Sequence, residues 1–381
     1  TIFQTIPKII NGIGALAHVS DEINRLGSTN IMIVTDKGLV DAGIAGKLES
    51  LLEKAGMQFS LFDSVEPDPG LDTAIRAAAE VRDKGIDLVI GIGGGSAIDI
   101  SKIAAVLATN DGDIASYVGI DLIPLQGLKT IIIPTTAGTG SEVTPIVILS
   151  DHDEKLKKGI VSPHLFPDVA ILDPELTTGL PPRITAATGM DALIHAIEAF
   201  TSNNATHITD LLASEAIQLM HNNIRTAFSN GINIESRAAM LEGSMLAGMA
   251  FANAGVTAVH AFAYPIGAEY HIPHGIANSM MLIPVMEFNM IGNLEKFSRL
   301  SGILGENIQG MNKKDGALLC INSMKDLKED LQIPKHLSEF GINEADIPFL
   351  AEGVMKVTRI LANNPRVLTL KDAEDIYRKA L

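Results

Sequence analysis

Short, continuously apolar runs alternate with helical segments over the first half of the chain. The patterns predict buried strands at residues 30–35, 58–63, 88–92 and 130–134, and helices at residues 41–55, 71–84 and 97–108. Strands that are apolar throughout, rather than at every second position, are typical of a parallel sheet covered by helices on both faces. The sequence therefore predicts a doubly wound α/β domain.

The pattern changes near Leu180-Pro-Pro182, where the strand signals end. Helical segments then follow one another to the last residue, for example at 237–253, 283–304 and 371–381, and two adjacent prolines fit the start of a helix. A chain of 381 residues also exceeds the usual size of one core. We therefore expect an α/β domain at residues 1–180 and an all-helical domain at residues 181–381.

Composition excludes several classes of function. The net charge of −16 argues against nucleic acid and anionic membranes as partners, because both attract basic patches. Cys320 is the only cysteine, which excludes a disulfide framework and a cysteine-rich metal site. No apolar run approaches the roughly 18–20 residues of a membrane span, and the first residues lack the pattern of a signal peptide. The expected location is the cytoplasm.

Two loops and one acidic residue carry nucleotide signals. Gly91-Ile-Gly-Gly-Gly-Ser96 follows a predicted strand and opens a predicted helix, where free N–H groups and the helix dipole favour a phosphate. This loop alone fits a plain strand-to-helix turn equally well. The hydroxyl-rich loop Pro134–Glu142 follows another strand, and Asp36 ends the first strong one, where it could accept from ribose hydroxyls or cap a helix. Together these signals predict a dinucleotide site.

Histidines and carboxylates suggest a metal. Asp191 and His195 are four residues apart on a predicted helix, with Glu198 nearby, so they share a face and could chelate one divalent ion or form a surface hydrogen bond. His260 and His274 lie in one short apolar stretch. Only tertiary structure could bring these two histidines to the first pair.

Several motifs in order resemble the iron-containing (group III) alcohol dehydrogenase family over essentially the whole chain. They are Gly93-Gly-Gly-Ser96 with Asp99 and Lys102, the loop Pro134–Glu142, Ser162–Asp168, Asp191–Ala199 and Ile272-Pro-His-Gly275. The resemblance implies an N-terminal nucleotide domain, a C-terminal helical domain and NAD-linked hydride transfer in a cleft between them. The implied substrates are small alcohols or aldehydes, and the implied assembly is a homodimer or higher homo-oligomer.

The resemblance also implies which residues bind the cofactors. It assigns a divalent metal, Fe²⁺ with Zn²⁺ as the alternative, to Asp191, His195, His260 and His274. The metal would stabilise an alkoxide in oxidation and polarise a carbonyl in reduction. The expected NAD-binding residues are Asp36, Gly93, Gly94, Gly95, Ser96, Asp99, Thr135, Thr136, Thr139, Ser141, Thr144 and Lys157.

One position departs from the family. Many relatives carry a second histidine four residues after the one matching His260, often assigned to proton transfer, and this chain has Tyr264. An ordinary phenol is a poor base near neutral pH. The catalytic residues are therefore expected to be His260 at the metal, Tyr264 as a positioning group and His271, or solvent, on the proton path. The alternative for Tyr264 is a packing role in which its hydroxyl contacts a backbone carbonyl.

Three other functions share this architecture. They are a glycerol dehydrogenase-like polyol oxidoreductase, a lyase of the dehydroquinate synthase type that uses NAD transiently, and a non-catalytic NAD-binding protein. The four expected metal ligands favour the dehydrogenase, because a binding protein has no use for them. Net formation of NADH from an added alcohol would separate the dehydrogenase from the lyase.

Overall fold

A computed structural model describes residues 2–151 and 156–381. The chain divides into two compact units, which meet in sequence between Gly179 and Leu180. The first unit, Gln4–Gly179, combines strands and helices, and the second, Leu180–Leu381 with residues 2–3, is helical.

A parallel sheet forms the centre of the first unit. The described strands of this unit, in chain order, are β1 (Ile9–Asn11), β2 (Asn30–Val34), β3 (Gln58–Phe62), β4 (Leu88–Gly93), β5 (Gly119–Ile120), β6 (Lys129–Pro134), β7 (Ile146–Asp151), β8 (Leu156–Val161) and β9 (Val169–Leu172). Six of them pair in the order β1-β9-β6-β4-β2-β3, with every neighbouring pair parallel. The carboxyl ends of β2, β4 and β6 therefore lie side by side.

Helices cover both faces of this sheet, which confirms the predicted α/β class. They are α1 (Val19–Leu26), α2 (Lys37–Asp41), α3 (Ile44–Lys54), α4 (Leu71–Asp83) and α5 (Gly95–Leu107). One apolar core packs α1 and α3 against Ile31, Ile33 and Ile90, and another packs α4 and α5 against Met32 and Val89. Neighbouring residues of one strand enter opposite cores, so both must be apolar, and this produces the continuous apolar runs.

The sequence missed some features of this unit. β5, β8 and β7 form a separate small sheet in which β7 and β8 are antiparallel. The predicted helix 41–55 is wrong in its first turn, because α2 ends at Asp41 and α3 begins at Ile44. Short 3-10 helices lie at Ala15–His18, Ile114–Tyr117, Ser141–Val143, Pro163–Leu165 and Pro174–Thr177.

Helices alone build the second unit within the described residues. They are α6 (Pro182–Thr201), α7 (His207–Ser229), α8 (Ile234–Ala254), α9 (Ala258–Tyr270), α10 (His274–Asn289), α11 (Leu294–Ile303), α12 (Lys313–Asp330), α13 (Ile347–Lys356), α14 (Thr358–Leu361) and α15 (Leu370–Ala380). Short 3-10 helices lie at Met290–Gly292, Leu337–Phe340 and Glu344–Asp346.

One predicted helix of this unit is corrected. Residues 283–304 do not form a single helix: α10 ends at Asn289, and α11 begins after Asn293, whose side chain accepts a hydrogen bond from the Lys296 amide at 3.1 Å. This N-cap satisfies a free N–H of the new helix and so favours the break. The apolar periodicity continues on both sides of the break, which explains the error.

The helices of the described residues are too short or too polar, taken singly, to span a membrane. Only α8 and α9 taken together reach the length and composition of a span, and they are bent by 103° relative to each other.

Candidate metal centre and nucleotide-binding loops

Helix α6 presents two carboxylates and one imidazole on one buried face. Asp191, His195 and Glu198 follow one another at intervals of four and three residues, the spacing that aligns side chains along a helix. All three are buried. Burial of this many ionisable groups is costly unless they bind one another or a ligand.

Helix α9 brings His260 to this face. The Nε2 atom of His260 lies 2.9 Å from Nε2 of His195 and 3.9 Å from Oδ1 of Asp191. Ligand atoms of Asp191, His195 and His260 all lie within 4.8 Å of one another. One carboxylate oxygen and two imidazole nitrogens at this separation fit a single divalent cation of the Fe²⁺ or Zn²⁺ type.

Helix α10 supplies the fourth expected ligand at its first residue. His274 Nε2 lies 3.8 Å from Asp191 Oδ1, and the His274 and His260 rings are 5.4 Å apart between centroids. The next residue is Gly275, and a Cβ atom there would lie 2.2 Å from the carbonyl oxygen of Ala187 on α6. Glycine therefore permits the close approach of α10 that brings His274 to Asp191.

Charges in this group favour a bound cation. Burial acts to raise the pKa of Asp191, but the three histidines and a hydrogen bond from Asn278 hold it below its ordinary value. Burial acts to lower the pKa of His260, and the neighbouring Glu198 carboxyl outweighs this and raises it. Asp191 is therefore held in its ionised form, which is the form that binds a divalent cation.

Asn278 lies one turn after His274 on α10 and also supports the group, although no sequence pattern indicated it. Its side-chain amide donates to Asp191 Oδ1 at 2.7 Å and lies 3.1 Å from His274 Nε2. A neutral amide carries no metal-ligand signal of its own, so only the fold identifies it. Its contact orients the Asp191 carboxylate.

The structure separates Tyr264 from His271. The ring centroid of Tyr264 lies 6.0 Å from that of His274, so Tyr264 borders the candidate centre, and burial raises its pKa to about 12. His271 instead ends α9 in a left-handed conformation with φ of 52° and is exposed. The role on the proton path expected for His271 stays a prediction.

The two loops that are expected to bind the nucleotide meet at the carboxyl ends of β4 and β6. The Thr135 amide donates to the Gly93 carbonyl at 2.9 Å, and a Cβ atom on Gly95 would lie 2.6 Å from Cγ2 of Thr139. Thr136 lies beside Gly94. Gly94 is the N-cap of α5 without a side-chain cap, and Ser96 lies in the first turn, so free N–H groups face this loop.

Asp36 lies beside the same loop at the end of β2. Its Oδ1 accepts a hydrogen bond from the Leu39 amide at 3.0 Å, which makes Asp36 the N-cap of α2. Its Oδ2 lies 3.8 Å from the point where a Cβ of Gly93 would stand. Asp36 thus caps a helix, and its second carboxylate oxygen lies beside the glycine loop.

Three other expected NAD ligands surround Lys102, a residue to which the sequence assigned no role. Asp99 accepts from the Ser141 hydroxyl and the Ile148 amide. The Lys102 ammonium group donates to the Ser141 hydroxyl at 2.8 Å and to the carbonyls of Thr144 and Ile146. These contacts fix the hydroxyl-rich loop on α5.

Glu142 of the hydroxyl-rich loop and Lys157 of β8 are two more ionisable residues of this unit. Burial lowers the pKa of Lys102 to about 8 and raises that of Glu142 to about 7. Lys157 lies on β8, 2.7 Å from Asp68 Oδ1 and 3.0 Å from Ser150 Oγ. The contacts of Lys157 are thus with Asp68 and Ser150, and its binding of NAD stays a prediction.

Known families match both units. A profile described as "Iron-containing alcohol dehydrogenase" matches residues 7–174, and one described as "Fe-containing alcohol dehydrogenase family, C-terminal" matches residues 185–381. A long-chain-alcohol dehydrogenase from Geobacillus thermodenitrificans is 42% identical over 97% of this chain and 94% of its own length. These matches confirm the resemblance that the motifs indicate.

Solved structures agree with the sequence matches. A crystal structure of a 1,3-propanediol oxidoreductase covers 100% of both chains with a TM-score of 0.97 and 38% identity. A sulfoacetaldehyde reductase from Bifidobacterium kashiwanohense, solved with NAD⁺, has a TM-score of 0.89 and 33% identity and covers 100% of this chain and 98% of its own. The candidate metal group and this NAD⁺ complex fit the expected cofactors, NAD and iron. The chain therefore belongs to the iron-containing alcohol dehydrogenase family and is an NAD-linked oxidoreductase of alcohols and aldehydes.

Proposed function

We propose that the divalent iron of this enzyme is held by four side chains, Asp191, His195, His260 and His274. The observation that supports this proposal is the convergence of α6, α9 and α10 on one buried carboxylate. Neutral imidazoles and a carboxylate suit Fe²⁺ and Zn²⁺, and the general order of affinities favours zinc where both ions compete. Zinc is therefore the alternative occupant.

Access to this centre is from the side of His274. The His274 side chain is 39% exposed, against 3% for His260 and 5% for Asp191. When bound, the metal supplies a Lewis acid for the substrate oxygen, and NAD accepts or supplies the hydride. Tyr264 borders the exposed side, where its phenol donates a hydrogen bond that orients the substrate.

A Tyr264→Phe variant should retain metal and NADH binding and lose less than about a hundredfold in kcat. With a pKa raised to about 12, the phenol stays protonated at neutral pH and can donate a hydrogen bond but cannot act as a base. Steady-state kinetics together with metal analysis test this. A loss as large as that of a ligand variant, with the metal still bound, would show that the phenol carries the proton.

Asp36 and the two adjoining loops are proposed to bind the NAD. The free side of the Asp36 carboxylate would accept from the adenosine ribose and repel the 2′-phosphate of NADP, so NAD(H) should be preferred. Asp36→Gly should narrow the ratio of kcat/KM between NAD and NADP. Asp36→Asn removes the charge but keeps a good N-cap, so an equally narrowed ratio there would assign the effect to charge rather than to α2. Equal kcat/KM for both cofactors in the unchanged enzyme would contradict this role.

The substrate is proposed to be a small alcohol or aldehyde. The relatives named above act, by their names, on long-chain alcohols, 1,3-propanediol and sulfoacetaldehyde, so chain length and charge of the substrate both need testing. An anaerobic screen of iron-loaded protein should cover short and long alcohols, diols, and neutral and anionic aldehydes. Net NADH formation or consumption is the expected result. An iron-loaded protein inert towards the whole panel would favour a non-catalytic NAD-binding role.

We also propose that the enzyme works in the cytoplasm as a homodimer or larger homo-oligomer, without nucleic acid or membrane partners. The net charge of −16 supports the absence of polyanionic partners, because like charges repel. Light scattering on purified protein measures the assembly, and a monomer at micromolar concentration would contradict it.

A further inference from the structure

Glu198 is a fully buried carboxyl group one turn beyond His195 on α6. A carboxylate without solvent must be compensated by hydrogen bonds or by charge, because its desolvation is costly. Nothing in the proposed metal site requires Glu198 as a ligand. Its contacts therefore reveal what it does.

Among the described residues, the side-chain hydrogen bonds of Glu198 go to the N-cap and first turn of α9. Its Oε1 accepts from the Thr257 hydroxyl at 2.6 Å and from the Val259 amide at 2.7 Å. Its Oε2 contacts Nδ1 of His260 in a short hydrogen bond. Because Oε1 already has two donors and a carboxylate only accepts, the hydrogen of the third bond belongs to His260 Nδ1.

This hydrogen bond decides which nitrogen of His260 faces the candidate metal group. With the hydrogen on Nδ1, the neutral ring has a lone pair on Nε2, the atom that lies 2.9 Å from His195 Nε2. Histidine ligands commonly donate their second N–H to a carboxylate, which fixes the ring and increases its basicity.

We propose that Glu198 is a positioning residue that fixes the tautomer and orientation of His260 as a metal ligand. This inference rests on the proposed metal site. Glu198 also ties the start of α9 to α6 through Thr257 and Val259, so the positioning role must be separated from a structural one.

Two variants make that separation. In Glu198→Gln the amide oxygen can still accept from Thr257 and Val259, but the amide nitrogen then faces His260 Nδ1 and makes that atom an acceptor. The ring hydrogen must move to Nε2, the side that faces the metal. In Thr257→Val one bond to α9 is lost, while the bond between Glu198 and His260 stays.

Metal affinity and melting temperature are measured on both variants and on the unchanged protein. Chelator competition gives the affinity for Zn²⁺, and the absorption spectrum of the Co²⁺ form reports the ligand geometry. We expect Glu198→Gln to lose ~10–100-fold in metal affinity and to alter the Co²⁺ spectrum. Thr257→Val should melt at a lower temperature but keep the affinity and the spectrum, and both variants should keep NADH binding.

Three results would overturn the inference. The first is an unchanged metal affinity and Co²⁺ spectrum in Glu198→Gln, and the second is a loss of metal affinity in Thr257→Val as large as that in Glu198→Gln. The third is a nitrogen NMR spectrum of the unchanged, zinc-loaded protein in which His260 carries its hydrogen on Nε2. The last measurement needs no variant and so stands even if Glu198→Gln does not fold. A failure of the proposed metal site itself would give a different result. In that case the unchanged protein would bind no stoichiometric Zn²⁺, or the His274→Ala variant would bind Zn²⁺ as tightly as the unchanged protein does.

Discussion

His274→Ala should lose stoichiometric metal and all measurable turnover while binding NADH as the unchanged enzyme does. The ring supplies one of four proposed ligand groups, and its Nε2 lies 3.8 Å from Asp191 Oδ1. The expected nucleotide residues belong to the separate unit Gln4–Gly179, so their loops keep their internal contacts. Metal content after dialysis and titration with NADH fluorescence measure the two properties separately.

His260→Ala should give the same loss and an additional cost in stability. It removes the partner of Oε2 of Glu198, a fully buried carboxyl, and an unsatisfied buried group of this kind costs about 1–3 kcal/mol. A lower melting temperature than that of His274→Ala is the expected sign. His207→Ala is the matched control, because His207 is an exposed histidine at the start of α7 and should change neither property.

Full metal occupancy in His274→Ala would remove that residue from the site and leave the group of Asp191, His195 and His260. Loss of NADH binding in either variant would instead show that the nucleotide loops depend on this centre. Retained metal with lost turnover would place His274 in substrate binding rather than in metal binding.

The fold was predictable where local patterns and burial agree. Continuous apolar runs at β2, β4 and β6 predict a parallel sheet, because both faces of each strand are buried. The antiparallel pair β7 and β8 was missed. β7 begins with the apolar run Ile146-Val-Ile-Leu149, but β8 contains two lysines and a glycine, so no apolar pattern marks the second strand of the pair. Nor could periodicity detect the break between α10 and α11, because apolar residues recur on both sides of Asn293.

The candidate site was predictable in the same uneven way. Asp191 and His195 can be paired from spacing alone because one helix carries both, whereas His260 and His274 join them only through the packing of α9 and α10. The family resemblance indicated these two residues as metal ligands, whereas the periodicity of the chain could not indicate them. Neither residue spacing nor the family resemblance indicated Asn278, because its amide contacts Asp191 only when α10 is packed against α6.

Gly275 tests whether that packing creates the site. A Gly275→Ala variant adds a methyl group 2.2 Å from the Ala187 carbonyl oxygen, which is fixed within α6 and cannot rotate away as a side chain would. We expect α10 to shift away from α6, with a loss of stability of about 1–3 kcal/mol, as is usual for overpacking. Because His274 immediately precedes this glycine, the shift should also move its ring from Asp191 and weaken metal binding by about tenfold or more.

Gly302→Ala is the matched control for this prediction. Gly302 lies in α11 of the same unit, and a Cβ there would make only ordinary contact, 3.4 Å from Ile308 Cδ1. Alanine is favoured over glycine inside a helix by about 0.5–1 kcal/mol, so this variant should melt slightly higher and bind metal normally. Chelator competition measures the metal affinity of both variants, and thermal melting measures their stability. If Gly275→Ala matched the unchanged protein in both, α10 would tolerate the methyl group, and the glycine would not set the distance between His274 and Asp191.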